Sequence, residues 1–333
     1  MRSPPVVEAS SLTHTYSLYG LGVAVSGDAA LLAALNSRLR QMPPDGATAP
    51  ALAFEFQTVR DAANHTVEKP RGPGRLVYEP KVGGQVLHFD SRDQLYIEIG
   101  ERVRALCDPA GGHTRVSIVQ GAGDGLWLAS HPLLTLPLME ALKRRGQYSL
   151  HAAGLSLNGR ALLLAGGRGA GKSTLAITLL RAGFGFLGDD IVFLSRDDDG
   201  LRVSAFPDEI DVTDETVKLF PELRHLADRP RTPGSPKRQF RAEDVYRSNV
   251  VWESRPAALV FPGVADSDSS RLEPMDRDEA LLELAPNVLL TEPSSSQAHL
   301  DALAQLIRES ECYRLRTGRD LDALPRLLRG LAE

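Results

Sequence analysis

Residues 166–173, Gly-Gly-Arg-Gly-Ala-Gly-Lys-Ser, constrain the fold of this chain more than any other segment. They match the pattern GxxxxGK[ST] in full, and Thr174 follows. The apolar run Ala161–Ala165 leads in and a helical pattern over Ser173–Ala182 leads out. Strand, glycine turn and helix in that order set a helix N-terminus against the turn. Glycines let successive backbone N–H groups curl inward, and the helix dipole adds positive potential at the same spot. A phosphate group suits such a cradle. Lys172 would neutralise the outer phosphates of a nucleoside triphosphate, and Ser173 would offer its hydroxyl to Mg2+. The expected ligands are therefore ATP and Mg2+. The binding set is Gly166, Gly167, Arg168, Gly169, Ala170, Gly171, Lys172, Ser173 and Thr174.

The neighbouring segments alternate strand and helix, an α/β rhythm. A strand is expected near Leu150–Leu157, then an Asn158–Gly159 turn, which between two apolar runs is a hairpin signal. Strands around Phe186–Leu187 and Ile191–Leu194 follow. Helices are expected over Asp278–Leu290, Ser296–Glu309 and Asp320–Leu331, with a strand at Tyr313–Leu315 between the last two. The first 130 residues read mainly as strands: Tyr16–Val25, Ala51–Val59, Leu95–Ile99, Val116–Val119 and Leu126–Leu128. One helix there covers Asp28–Arg40 with Asp28 as N-cap. Pro43–Gly46 and Pro70–Gly74 read as loops. A helix over Pro137–Arg145, stopped by Gly146, marks a junction. Two domains are expected, a strand-rich one over 1–135 and a nucleotide-binding one over 146–333.

Length and composition narrow the function. A chain of 333 residues can bury full cores without disulfides or structural metals. Basic residues number 38 and acidic ones 43, a net charge of −5, so the basic footprint that general nucleic-acid or anionic-membrane binding needs is missing. No apolar run approaches a membrane span and the N-terminus has no signal-like apolar region, so a cytoplasmic protein is expected. The two cysteines, Cys107 and Cys312, lie in no metal-binding pattern. His14, His65, His88 and His113 are scattered and read as polar surface or loop residues.

A second signal is the acidic pair Asp189-Asp190, directly after the apolar Phe184–Gly188 and shortly beyond the glycine-loop helix. Neighbouring side chains on a strand point to opposite faces. One acid can thus meet a metal or take a proton while the other supports it. His151 opens the strand that leads toward the glycine loop. Farther on, Arg229–Arg241 carries Pro230, Pro233, Gly234 and Pro236, which exclude a regular helix. Its five cations, Arg229, Arg231, Lys237, Arg238 and Arg241, suit a mobile loop closing over phosphates. Lys237 and Arg238 are the best placed of them, because Phe240 can anchor that end.

Together these residues resemble the HPr kinase/phosphorylase family and its relatives, including the kinases encoded with lasso-peptide clusters. The resemblance is carried by His151-Ala152-Ala153-Gly154, Asn158-Gly159, Gly166–Thr174, and Arg181-Ala182-Gly183 through Leu187-Gly188-Asp189-Asp190. Phe206-Pro207, Lys237-Arg238 before Phe240, and the Cys312–Gly318 strand leading to Asp320 fit the shorter relatives. It implies a compact P-loop kinase domain akin to phosphoenolpyruvate carboxykinase; the smaller strand-rich α+β domain before it is expected from the residues alone. It also implies Mg-assisted transfer of the γ-phosphoryl group of ATP to a seryl hydroxyl of a protein or peptide; no nucleic acid or membrane partner is expected on the charge and apolar-run grounds above, and a homo-oligomer stays open. By this resemblance Asp190 is the base, with His151, Lys172 and Arg238 in the catalytic set. Ser173, Asp189, Asp190 and Glu209 are the metal candidates. The family's Glu-x-Arg-Gly core is absent; Ala205-Phe206-Pro207-Asp208-Glu209 stands near its position. Two other readings remain from the residues alone: a small-molecule P-loop kinase and a non-catalytic ATP-binding module. A GTPase is disfavoured because no NKxD motif occurs.

Overall fold

A computed structural model describes residues 12–40, 42, 49–121, 123–206, 208–246, 250–288 and 291–333. The expected Pro43–Gly46 loop, Pro207 and the end of the expected Asp278–Leu290 helix lie outside the described residues. The chain is mixed α/β and divides into two compact units, Met1–Arg145 and Gly146–Glu333.

In the first unit a Tyr19–Gly20 turn, both residues at positive φ, splits the expected Tyr16–Val25 strand into a hairpin. Its arms are β1 (Leu12–Leu18) and β2 (Leu21–Gly27). Helix α1 (Ala29–Leu39) follows; Asp28 caps it by accepting from the N–H groups of Ala30 and Leu31. The remaining strands are β3 (Pro50–Val59), β4 (Arg75–Tyr78), β5 (Gln85–Phe89), β6 (Gln94–Ile99), β7 (Val103–Asp108) and β8 (His113–Val119). They form one sheet in the order β1-β2-β3-β8-β7-β6-β5-β4. The expected strand at Leu126–Leu128 is instead part of helix α2 (Gly125–Ser130). Gly125, Leu128 and Ala129 are buried at helical spacing, a periodicity that a three-residue reading hides. Helix α3 (Pro132–Lys143) starts earlier than the expected Pro137. Pro132 occupies its first turn, and Pro137 is tolerated inside because Leu133, Leu134, Leu138 and Leu142 are buried around it. His88, expected at the surface, is buried on β5. Its two ring nitrogens lie 2.6 Å from Asp90 and 2.9 Å from Asp93, so its polarity is satisfied internally.

The second unit is organised by one fully buried strand. After β9 (Tyr148–Leu150) come β10 (Ala152–Leu157) and β11 (Arg160–Ala165), joined by Asn158–Gly159 with both φ values positive. The expected continuous strand over 150–157 is thus interrupted at His151: β9 and β10 pair with different partners, and the His151 N–H goes to the Asn287 carbonyl. Helix α4 (Lys172–Arg181) follows the glycine loop, and β12 (Gly185–Gly188) returns antiparallel to β10. Next come β13 (Val192–Asp197), β14 (Gly200–Ala205), β15 (Ile210–Val212), α5 (Asp214–Leu219), β16 (Arg238–Phe240) and α6 (Ala242–Val245). The chain continues as β17 (Glu253–Val264), β18 (Arg271–Pro274), α7 (Arg277–Leu284), α8 (Pro293–Glu309), β19 (Glu311–Thr317) and α9 (Leu324–Arg329).

The main sheet runs β12-β10-β11-β17-β14-β13-β9, with β11, β17 and β19 parallel and β18 on β19. Both faces are covered. On β11, Leu162 and Leu164 pack with Leu175, Ile177 and Leu179 of α4. Ala161, Leu163 and Ala165 pack on the other side with Leu303, Leu306 and Ile307 of α8. That two-sided burial explains the unbroken apolar run, where a one-sided strand would alternate. The end of β11, buried through Ala165, carries the loop described next.

Candidate functional site

The loop 166–171 leaves β11 and enters α4 through three glycines at positive φ: Gly166 (149°), Gly169 (83°) and Gly171 (92°). A side chain at any of them would be strained, so the pattern of the motif is a backbone requirement. Gly167, Arg168 and Gly169 are exposed, while Ala170 and Lys172 to Thr174 are half-buried. The Lys172 Nζ donates to the Gly166 carbonyl (2.5 Å) and lies 3.4 Å from that of Gly167. The ammonium is thereby folded over the loop. The Thr174 hydroxyl turns away toward Thr216 on α5, 3.3 Å distant.

Ser173, in the first turn of α4, donates its hydroxyl to Asp189 Oδ2 at 3.2 Å. Asp189 follows the last residue of β12. Gly188 is needed there: a Cβ would stand 2.4 Å from the Ile191 carbonyl oxygen, so a larger residue would displace the acidic pair. The same Oδ2 accepts the N–H of Asp211 on β15 at 3.1 Å. Asp189 is 1% exposed. Burial first, and then the charge of Asp190, push its carboxyl up to about 8, against the pull of the Asp211 N–H and of Lys237. Asp211 is also raised, chiefly by burial, with Asp190 adding and Lys237 and a hydrogen bond from the Gln239 side chain opposing. Asp189 Oδ1 and Asp211 Oδ1 are buried and have no hydrogen-bond partner among the described residues.

Asp190 is placed differently. Its side chain is 45% exposed, beside a half-exposed His151. His151 Nδ1 donates to the Asp190 carbonyl oxygen at 2.9 Å and is 4.0 Å from its carboxylate. The carbonyl can only accept, which fixes the proton on Nδ1 for this contact. Of the acidic pair, then, the buried member meets Ser173 and the open one faces solvent.

The basic segment is more ordered than its composition implies. Thr232 N–H donates to the Lys237 carbonyl, Ser235 N–H to the Thr232 carbonyl, and Gly234 takes φ 69°, so the residues form a closed turn. The segment then enters β16, whose register sets Phe240 opposite Ile210 and Gln239 opposite Asp211. The loop expected over Arg229–Arg241 is corrected at its end, where Arg238–Phe240 pair with β15 as a strand. Arg238, assigned above to the catalytic set, ion-pairs with Asp214 and donates its Nε to the Arg229 carbonyl. Adjacent residues on a strand diverge, and it is Lys237 that lies against the acids, 3.6 Å from Asp211 Oδ2. Glu209, assigned above as a metal candidate, accepts from Arg241 through Oε1 at 3.2 Å.

Asp211 was missed in the sequence. The one available signal was its alternation with Glu209 across Ile210 on a short strand, too brief to stand out.

A divalent cation fits this cluster. The buried Asp189 and the half-buried Asp211 each carry a buried oxygen without a hydrogen-bond partner among the described residues, beside a serine hydroxyl; all are hard oxygen donors, and one or two carboxylates plus phosphate oxygens is how Mg2+ is commonly held. No cluster of three or more His, Cys, Asp or Glu side chains able to hold a metal alone occurs among the described residues, so the remaining ligands would come from nucleotide and water.

No protein-family model matches the chain, and no curated protein matches it. Among solved structures, the chain is similar to the Hpr(Ser) kinase/phosphatase from Coxiella burnetii, at 15% identity and a TM-score of 0.27, over 55% of this chain and 92% of that one. Likeness at that level carries no weight for function, which must be read from the residues. Among the described residues no helix is long and apolar enough to cross a membrane.

Proposed function

We propose that the second unit is an ATP-dependent kinase that transfers the γ-phosphoryl group to a seryl hydroxyl of a protein or peptide. The observation that carries this reading is the Ser173–Asp189 contact at the mouth of a complete GxxxxGK[ST] loop. It joins the helix-terminal hydroxyl to an acid at the end of a neighbouring strand. Loop amides and Lys172 hold the triphosphate; Ser173 and Asp189 hold Mg2+, which when bound neutralises phosphate oxygens. The acceptor oxygen forms its bond to phosphorus as the bond from phosphorus to the β,γ-bridging oxygen breaks, and ADP leaves. The acceptor proton goes to the Asp190 carboxylate, the solvent-facing member of the pair. His151 orients Asp190 through its backbone carbonyl. The rate gain comes from positioning and charge neutralisation, with no covalent enzyme intermediate.

Single-turnover transfer from γ-labelled ATP with Mg2+ and a library of serine peptides tests this. Label should appear as phosphoserine, and Lys172→Ala should abolish it or require far more ATP. Label on a metabolite, no transfer, or wild-type turnover by Lys172→Ala would refute the proposal.

A further inference from the structure

Beyond the acidic pair that follows β12, we infer that Asp211 is a second carboxylate of the divalent-cation site, working with Asp189 and Ser173. This rests on the nucleotide reading above and adds to it a residue that no motif points to. Asp211 is tied to the site twice. Its backbone N–H donates to Asp189 Oδ2, the oxygen that also receives the Ser173 hydroxyl. That leaves Asp189 Oδ2 satisfied and Asp189 Oδ1 buried without a partner. Asp211 repeats the arrangement: Oδ2 is near Lys237 Nζ at 3.6 Å, while Oδ1 is buried without a hydrogen-bond partner among the described residues.

The Lys237 contact across the β15–β16 ribbon accounts for Asp211 Oδ2 and leaves Oδ1 to be explained. The Asp211 backbone already serves the ladder opposite Gln239, and an amide or hydroxyl would satisfy the strand. Ionising both carboxylates beside the Lys237 ammonium is costly in so sheltered a place unless a cation is added. The orphaned oxygens belong to the two acids that the Asp211 N–H ties together, and the Ser173 hydroxyl lies on the same Asp189 carboxylate. A hard divalent ion is the chemistry that uses both oxygens and the hydroxyl, with sites left for phosphate oxygens. Lys237 then compensates the outer oxygen of Asp211 and competes electrostatically with the metal.

The test is Mn2+ binding to the full chain, read by loss of the free-ion electron paramagnetic resonance signal, with and without a non-hydrolysable ATP analogue. Metal-free affinity for the analogue is measured beside it. Asp211→Asn should weaken Mn2+ binding in the presence of the analogue at least tenfold. Metal-free analogue affinity should stay within threefold. Asp211→Glu, which keeps the charge, should recover part of the loss. Lys237→Met should tighten Mn2+ binding in the absence of analogue at least threefold, and this holds as a test even if Asp211→Asn folds poorly. Mn2+ affinity of folded Asp211→Asn within twofold of wild type, or weaker Mn2+ binding by Lys237→Met, would overturn the inference while leaving the nucleotide site standing. A wild-type chain that binds neither analogue nor Mn2+ would overturn the nucleotide reading itself.

Discussion

Replacing Asp189 by Asn should make the metal-free protein more stable at alkaline pH while destroying its metal site. Asp189 is buried, and its carboxyl is raised from an ordinary 3.8 to about 8. In the unfolded chain it ionises near its ordinary value, so between about pH 4 and 8 the folded state binds the extra proton. Stability must therefore fall as pH rises through that window and level off above it. Each tenfold step in the proton equilibrium is worth about 1.4 kcal/mol, which sets an upper limit of roughly 6 kcal/mol on the cost of the ionised form. Asn keeps an oxygen for the Ser173 hydroxyl and the Asp211 N–H, but buries an N–H2 where the orphaned Oδ1 lies; that costs about 1–3 kcal/mol. The net gain at pH 8 should be about 2–4 kcal/mol, or roughly 5–15 °C in melting temperature for a unit of this size. Near pH 4, where the folded-state ionisation cost has almost gone, the gain should reverse, the buried amide leaving the variant about 1–3 kcal/mol less stable than wild type. Thermal melts in EDTA from pH 4 to 8.5 measure it. A variant no more stable than wild type at pH 8, or one with an unchanged pH slope, would refute the buried-carboxylate account.

Asp190→Asn should slow single-turnover phosphoryl transfer by about 10²–10⁴-fold with ATP affinity within a few-fold, because its open carboxylate takes a proton without holding the nucleotide. Mild and equal effects from the Asp189 and Asp190 variants would reduce the pair to an acidic turn. Lys237→Ala should slow transfer at least tenfold at nearly unchanged ATP affinity, as expected of charge used mainly in the transition state. Arg238→Ala should act structurally instead, removing one of the two ion pairs that tie the 229–241 segment to Asp214, the other being that of Arg231, and speeding its cleavage by a broad-specificity protease; unchanged cleavage would contradict the ion-pair anchor. Leu164→Ala, at the centre of the buried β11, should cost about 2–5 kcal/mol by urea denaturation, and a loss below 1 kcal/mol would contradict the two-sided packing.

Local chemistry made parts of the fold readable before any coordinates. Asp28 caps α1, and Asn158–Gly159 turns β10 into β11, because these residues act on backbone within a few positions of themselves. The readings that failed were those needing long-range information. Leu126–Leu128 looks like a strand because three apolar residues have no period; only burial of Gly125, Leu128 and Ala129 shows a helix. Tyr19 gives little sign of a turn, since a bulky residue at positive φ is uncommon, and only the pairing of Leu18 with Leu21 reveals the hairpin. His88 looks like a surface residue until β5 carries it between Asp90 and Asp93.

The candidate site divides along the same line. Loop, lysine, serine and acidic pair sit within one stretch of chain, and their proximity follows from strand, turn and helix lengths. Which member of the pair turns inward does not, because the chain bends immediately after β12 and alternation gives two equivalent registers until Gly188 is packed against Ile191. Asp211 and Lys237 arrive from a separate two-stranded ribbon, and nothing in their local sequence encodes its placement. The ribbon explains why Lys237 and Arg238, equivalent on paper, diverge. Phe240 is buried opposite Ile210 and fixes the register, and the strand pleat sends one cation to Asp211 and the next to Asp214. A basic segment chosen only for charge could have placed either residue at the acids. It is the buried aromatic two positions beyond Arg238 that selects Lys237, so enlarging or shrinking Phe240 should disturb the site without touching any of its charged groups.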